Sequence, residues 1–463
     1  MRRFVLVAAL GLATTACTLG PDYRRPPLPV PAEFRGLGPE NPVDAGSIGD
    51  LSWWALFDDQ ALQALLRRAL QANYDVRVAA ARILDARARV TIARSFQFPD
   101  VRASATAPYT HIQGAPDSLQ FRDVFAPAAG LDLAYEADLW GRYRRGTEAA
   151  RAELLATEYG RRFVMTTLVS DVATLYFDLR TLDLQLAISR RTLTSRVDAL
   201  GLVTQRQEGG VAAMIDVRQT EILVATASQT IPDIERQIEQ TENAISILLA
   251  ENPRAIVRGR PIETQLALPV LPAGLPSALL ERRADVRQAE EELAAATARI
   301  GVAKTDFFPR LFLAGSLGAG GVNANGSWFG PQGIFAVLPS ITLPLFNAGR
   351  VAAGVDSAEA RAEGARLIYE QTVQNAFRDV SDALVEIRKR RESRTQAENL
   401  VVAARDTTRL ANIRYQGGFA SYLEVLDSEG RLFEAELGLA QAQRNEVLGI
   451  VRLYKGLGGG WQE

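Results

Sequence analysis

Four stretches of the chain alternate apolar and polar residues in steps of two, the signature of a strand with one oily and one wet face. Val101, Ala103, Ala105 and Ala107 stand against Arg102, Ser104 and Thr106, and Leu131, Leu133, Tyr135, Ala137 and Leu139 stand against Asp132, Glu136 and Asp138. The alternation returns at Leu311, Leu313 and Leu317, and again at Phe335, Val337, Ile341, Leu343 and Leu345. Between these stretches the period becomes helical. Ala-rich sequence without proline, from about 58 to 95 and from about 279 to 305, predicts helix, and each run stops at a Phe-Pro pair, Phe98-Pro99 or Phe308-Pro309. From 143 to 207 Leu168, Val172, Leu175, Leu179, Leu182, Leu186, Leu193, Val197 and Leu200 recur in steps of four and three, with one turn skipped at Ser189-Arg190. That spacing is a coiled-coil seam, and a helix of this length reaches about 100 Å at about 1.5 Å per residue. Gly209-Gly210 breaks the rod before a return from Asp216 to Leu249; Gly417-Gly418 precedes a second return from Tyr422 to Tyr454. Two long helical hairpins are expected.

The chain is also written twice. A shift of 210 places Asp75-Val76-Arg77 on Asp285-Val286-Arg287, Arg89 on Arg299 and Phe98-Pro99 on Phe308-Pro309. A shift of 208 then places Gly141-Arg142 on Gly349-Arg350, Gly209-Gly210 on Gly417-Gly418 and Glu221 on Glu429. The organisation this predicts is a leader over 1–16, an N-terminal segment over 17–54, one repeat over 55–255 and a second over 278–457, followed by a tail over 458–463. The joint at 256–277 holds Pro269, Pro272 and Pro276, which forbid a continuing helix. Four strands cannot close in lipid, because an open edge leaves backbone groups unpaired, so the oily faces call for partner copies.

Composition narrows the chemistry. A net charge of −2 with 47% hydrophobic residues excludes a disordered polyelectrolyte and removes the electrostatic argument for nucleic acid. One His and one Cys leave no material for zinc fingers, Cys-His proteases or haem attachment. His111 lies on an alternating strand, Gly318-Ala-Gly320-Gly321 reads as a strand and its outer loop, and Glu290-Glu291-Glu292 reads as a solvated helix face. No nucleophile, base and orienting group can be assembled, so no enzyme, metal site or cofactor is expected. At the start, Arg2-Arg3, the apolar run Phe4 to Leu12 and small residues up to Cys17 form a secretory signal. A lone cysteine at its end resembles a bacterial lipoprotein, whose sulfur carries diacylglycerol, although Thr14 stands where such signals favour Leu. By the same resemblance, Thr18 rather than Asp after the cysteine implies sorting to the outer membrane.

Several stretches resemble one family in order along the chain. They are Cys17-Thr-Leu-Gly-Pro-Asp-Tyr-Arg-Arg-Pro26, Asp138-Leu-Trp-Gly-Arg142, Gly274-Leu-Pro-Ser277 with Leu280-Glu-Arg-Arg283 and Asp285-Val286, Phe307-Phe-Pro309, Leu343-Pro-Leu-Phe-Asn347 with Gly349, and Leu457-Gly-Gly-Gly-Trp461. They are similar to the TolC-like outer membrane factor family, in its lipoprotein (NodT/OprM-type) branch. Ala284 departs from the proline usual before Asp-Val. The resemblance implies an α+β membrane protein: a homotrimer pooling four strands per chain into a 12-stranded outer-membrane β-barrel, continued by a long α-helical coiled-coil barrel, with the Pro-rich joint and chain ends in an equatorial belt. It implies a passive exit channel of a tripartite efflux pump, partnered by a periplasmic adaptor protein and an inner-membrane resistance-nodulation-division pump. Outer-membrane lipid surrounds it, and its only covalent group is the lipid on Cys17. The channel of a type I protein secretion system and a structural envelope lipoprotein are the alternatives.

Site residues follow from the same resemblance. Gly209, Gly210 and Val211 at one tip, with Gly417, Gly418, Phe419 and Ser421 at the other, match the family's adaptor-contacting tips; on the residues alone, Gly-Gly simply reverses the chain. Leu423 and Asp427 match the residues of the family's periplasmic gate, where three leucines would form an apolar constriction and three carboxylates a cation-attracting ring. Read alone, Leu423 is a heptad position and Asp427 a solvated one. Gly430 stands where the family often has Arg, and Arg431 follows one place later.

Overall fold

A computed structural model describes residues 18–35, 47–113, 123–265, 274 and 276–459; the proposed lipidation position, Cys17, lies outside them. Helices α1 (Gln60–Ala72) and α2 (Tyr74–Ser95) lead into strands β1 (Asp100–Thr106), β2 (Tyr109–His111), β3 (Asp123–Phe125) and β4 (Ala128–Ala137), then into α3 (Arg142–Glu208) and α4 (Met214–Leu248). The second half repeats the order with α5 (Pro276–Arg282), α6 (Ala284–Lys304), β5 (Arg310–Ala324), β6 (Ser327–Thr342), α7 (Arg350–Gln416) and α8 (Tyr422–Gly456). Both outgoing helices, α3 and α7, have 67 residues and both returning helices, α4 and α8, have 35.

The structure departs from the sequence reading at identifiable residues. The single run expected over 58–95 divides at Asn73, whose side chain accepts from the amides of Asp75 and Val76 and so caps α2. Its counterpart divides at Arg283, at the equivalent place. The first two expected strands break into four segments because Pro108 and Pro127 lack the amide that a ladder needs. Likewise Leu343 and Leu345 fall beyond β6, which ends two residues before Pro344. On the expected seam Val197 is exposed while Arg196 is buried, and Ile188 and Ser189 fill the skipped turn.

The chain forms two compact units. One comprises Met1–Pro27, Arg82–Glu158 and Gln288–Tyr369 and holds the sheet. All strand pairs are antiparallel: β1 pairs β4, β2 pairs β3, β3 and β4 both pair β5, and β5 pairs β6. The sheet is therefore four strands wide, with β1–β2 and β6 as unpaired edges. Register sorts its faces. Ala103, Leu131, Leu317 and Phe335 lie opposite one another in one row, and Val101, Leu133, Gly315 and Val337 in another, so the alternating oily residues of all four strands share one face, while Phe312, Ile334 and Leu338 fall on the other. The other face carries Arg102, Asp132 and Ser316, with Ser104 donating to Asp132 Oδ2 at 2.5 Å.

Residues 18–25 run along this unit as an arm. The Leu19 amide donates to Trp140 O, and buried Arg145 donates to Leu19 O, Gly20 O and Asp22. A Cβ on Gly20 would lie 2.4 Å from Gly301 Cα, so the crossing requires two glycines. Glu290, read from sequence as solvated, is instead buried and receives the Tyr23 hydroxyl and two nitrogens of Arg25. Its pairing with an arm more than 260 residues away leaves no trace in local sequence.

The other unit, Leu28–Ala81, Tyr159–Arg287 and Glu370–Glu463, is helical. Buried Asp59 caps α1 through the amides of Ala61 and Leu62 and also accepts from Tyr176 Oη, the Arg260 amide and Gln265 Nε2, tying the start of the Pro-rich joint to α1 and α3. Trp53 is buried in the same unit, and Phe57 meets Phe177 at 5.4 Å. Among the described residues no helix is long and apolar enough to cross a membrane.

Candidate functional site

The two hairpin tips are built alike. At the end of α3 the Gly210 amide donates to Gln207 O at 2.9 Å and the Val211 amide to Arg206 O at 2.8 Å. At the end of α7 the Gly418 amide donates to Tyr415 O at 3.0 Å and the Phe419 amide to Arg414 O at 2.9 Å. This paired closure is the Schellman motif, which needs a left-handed residue where the helix stops. Gly210 has φ +74° and Gly418 φ +76°, values that side chains disfavour by about 1–2 kcal/mol. Gly209 and Gly417 sit one residue earlier, and all four glycines are exposed.

Each tip presents one apolar side chain to solvent: Val211 and Phe419, the latter 81% exposed and lying over Gly417. Met214 and Ile215 add to the first tip. Ser421, the residue before α8, is exposed and its carbonyl accepts from the Glu424 amide. Beneath the tips, Val203, Val217, Ala411, Tyr422, Val425 and Leu426 form one buried cluster drawn from α3, α4, α7 and α8. Tyr422 meets Tyr415 at 5.0 Å, and the Arg206 guanidinium lies over Tyr415 at 4.9 Å. Burial pushes the Tyr422 phenol above its ordinary range. The tips therefore stand on a shared core, which fixes their relative positions.

Leu423 and Asp427 lie one turn apart on the outward side of α8, 56% exposed as a residue and 59% exposed as a side chain respectively, while Val425 and Leu426 between them point into the core. Asp427 pairs with Arg431 at 2.8 Å within the same helix. Arg431, four residues on, thus reaches the acid along the helix.

Sequence reasoning missed the buried Arg196 and the half-buried Glu429 further along the same hairpins. Arg196 on α3 donates to Leu223 O at 2.8 Å and lies 5.1 Å over Phe433, while its Nε has no hydrogen-bond partner. Burial lowers its pKa and, with Arg196 opposing, raises that of Glu429 on α8. The only sequence signal was an arginine beside a seam position. His111, on β2, bonds Asp123 at 2.6 Å, and Gly318, Gly320 and Gly321 lie within β5. Among the described residues no group of His, Cys, Asp and Glu could hold a metal ion.

Comparison with known proteins agrees with this architecture. A family model described as outer membrane efflux protein matches residues 65–251 and again 275–459. The solvent efflux pump outer membrane protein SrpC of Pseudomonas putida is 36% identical over 96% of both chains. The cation efflux system protein CusC of Escherichia coli O6:H1 is 32% identical over 99% of both. Among solved structures the outer-membrane channel OprN superposes with a TM-score of 0.86 at 33% identity, covering 96% of this chain and 100% of that one.

Proposed function

Because the chain belongs to the outer membrane efflux protein family, we propose that it works as the outer-membrane exit channel of a tripartite efflux pump, a passive conduit for solutes delivered from the periplasmic side. The observation that carries this reading is the sheet: an apolar face continuous across four strands, bounded by two unpaired edges. In hydrocarbon each unpaired backbone group costs several kcal/mol, so further copies must supply the missing partners. In this reading three copies form a 12-stranded barrel and their hairpins a coiled-coil tunnel beneath it, with Cys17 carrying the lipid anchor. The apolar, glycine-capped tips receive a periplasmic adaptor, and through it an inner-membrane resistance-nodulation-division pump. Leu423 and Asp427 of the three copies converge at the periplasmic aperture. No step in this function calls for catalysis or a cofactor.

The test is Gly418→Trp in cells that depend on the pump. A bulky residue at φ +76° distorts the tip and blocks its approach to a partner. Drug or metal resistance is expected to vanish while the heat-sensitive trimer band on a gel persists. Unchanged resistance would remove the tip from the mechanism, and a monomeric parent protein without conductance in planar bilayers would remove the channel itself.

A further inference from the structure

At the foot of the sheet, on its polar face, lies a cavity of about 420 Å3 lined by Asp306, Arg310, Phe312, Thr342, Leu343, Pro344, Arg350 and Val351. Its charges do not balance. Asp306 Oδ1 accepts both Arg142 at 2.6 Å and Arg310 at 2.5 Å, so one carboxylate serves two guanidinium groups. Arg350, at the start of α7, is exposed; its amide donates to Asn347 O, but its guanidinium has no ion-pair or hydrogen-bond partner among the described residues. The cavity lies beside β6, whose outer edge pairs with no strand among the described residues.

The opposite edge carries the complement. Every residue of β1 is exposed, and its first residue, Asp100, is the only acid between Asp85 and Asp117. Asp100 lies on the same side of its strand as Arg102, whose row contains Asp132 and Ser316, and so belongs to the polar face. Among the described residues its carboxylate meets only Arg102, at 2.8 Å. Because all pairs in the sheet are antiparallel, β1 and β6 run in opposite directions. When the edge of one copy closes on the edge of the next, the foot of β6 meets the foot of β1.

We propose that the Arg310–Arg350 cavity is a receptor for Asp100 of the next copy, an ionic clasp that sets the register of β6 against β1 where copies join. The inference rests on the homotrimer reading above and adds the residues that complete it. Antiparallel edges alone do not choose a register, since a slip of two residues preserves which face is oily. An acid at one foot, and at the other an unpaired Arg350 guanidinium beside an Arg310 that shares its only acid with Arg142, distinguish the correct pairing from slipped ones, as charge complementarity does at other interfaces.

A charge-swap cycle on the full-length purified protein tests this, read as the temperature at which trimer dissociates on a gel. Asp100→Arg and Arg350→Asp are each expected to lower the dissociation temperature. The double variant, which restores opposite charges across the junction, is expected to recover most of the loss. Single variants indistinguishable from the parent, or a double variant that loses the sum of both, would overturn the clasp. A parent protein that never forms trimer would instead overturn the homotrimer reading. Heat-modifiable mobility of the dissociated chain identifies variants that fail simply because the sheet misfolds, and recovery in the double variant cannot arise from such failure.

Discussion

The two hairpins have the same backbone and different chemistry. Outgoing helices of 67 residues and returning helices of 35 are offset by 208 throughout, from Arg142 and Arg350 to Leu248 and Gly456. Within that shared frame, Ile238 of α4 corresponds to Glu446 of α8, Ser228 to Glu436, Ala244 to Arg452 and Gln219 to Asp427. The first hairpin buries Ile234, Ile238 and Ile245. The second is laced by ions: Glu436 receives Arg191 and Arg405, Glu446 receives Arg391 and Arg394, Arg444 reaches Asp178 and Arg452 reaches Glu386. Repetition fixes length and reversal, which glycine and helix geometry supply. It leaves the seams free to diverge, because an apolar and an ionic seam can occupy one spacing.

Exchanging the seam chemistry tests that separation most severely. Ile238→Glu buries a carboxylate 9% exposed as the parent residue, one turn from Glu242, with no arginine in the positions that serve Glu446. A loss on the order of 3–5 kcal/mol is expected, the scale for a buried charge deprived of its partner. The converse, Glu446→Ile, is expected to cost less, about 1–3 kcal/mol. Glu446 itself is 2% exposed, yet Arg394 keeps Glu398 at 2.5 Å and Arg391 is half in water. Thermal melts followed by circular dichroism compare the two, and equal losses would mean that the hairpins are energetically interchangeable.

The proposed gate positions differ from their counterparts in charge as well. Leu423 and Asp427 have Ile215 and Gln219 as their counterparts; Asp216 and Glu424 correspond to each other, so the second hairpin carries one acid more over this stretch, Asp427. In the proposed trimer Asp427→Ala raises single-channel conductance or abolishes divalent-cation block in planar bilayers. Gln219→Asp adds carboxylates at the same height and strengthens the block. Current traces unchanged in both variants would place the constriction elsewhere.

What could be read from the sequence was what depends on near neighbours along the chain. Alternation gave the oily strand residues, proline-free length gave the two outgoing helices, and Gly209-Gly210 and Gly417-Gly418 marked both reversals. Local rules also account for several misses in hindsight, since Pro108, Pro127 and Pro344 interrupt or shorten strands that alternation alone would continue. The misses that no local rule repairs are long-range pairings. Glu290 is buried by Tyr23 and Arg25, Arg145 by residues 19–22, and Arg196 by α4 and α8. A charged residue reads as solvated until the segment that covers it is known. The tip geometry was legible, but the shared core beneath it was not, because Tyr422 and Val203 come from different repeats.

The smallest expected effect lies in the acids Glu221 and Glu429, which correspond across the repeats. Glu221 is a partly exposed helix-surface residue paired with Arg218 at 2.7 Å, whereas Glu429 is half-buried beside Arg196 and its pKa is raised, burial outweighing that arginine's attraction. A carboxyl whose folded-state pKa lies above its unfolded value favours folding while it is protonated. That contribution is complete below the ordinary glutamate range, about 4.3, and is lost as pH rises through the raised value. Glu429→Gln keeps the neutral shape and removes the titration. The variant is therefore expected to match the parent near pH 4 and to melt higher than the parent at pH 7, by an amount set by the shift. A parent that grows more stable relative to Glu429→Gln as pH rises would reverse the sign of the argument. It would mean that Arg196 closes on the ionised carboxylate and holds α3 to α8 more tightly than burial opposes it.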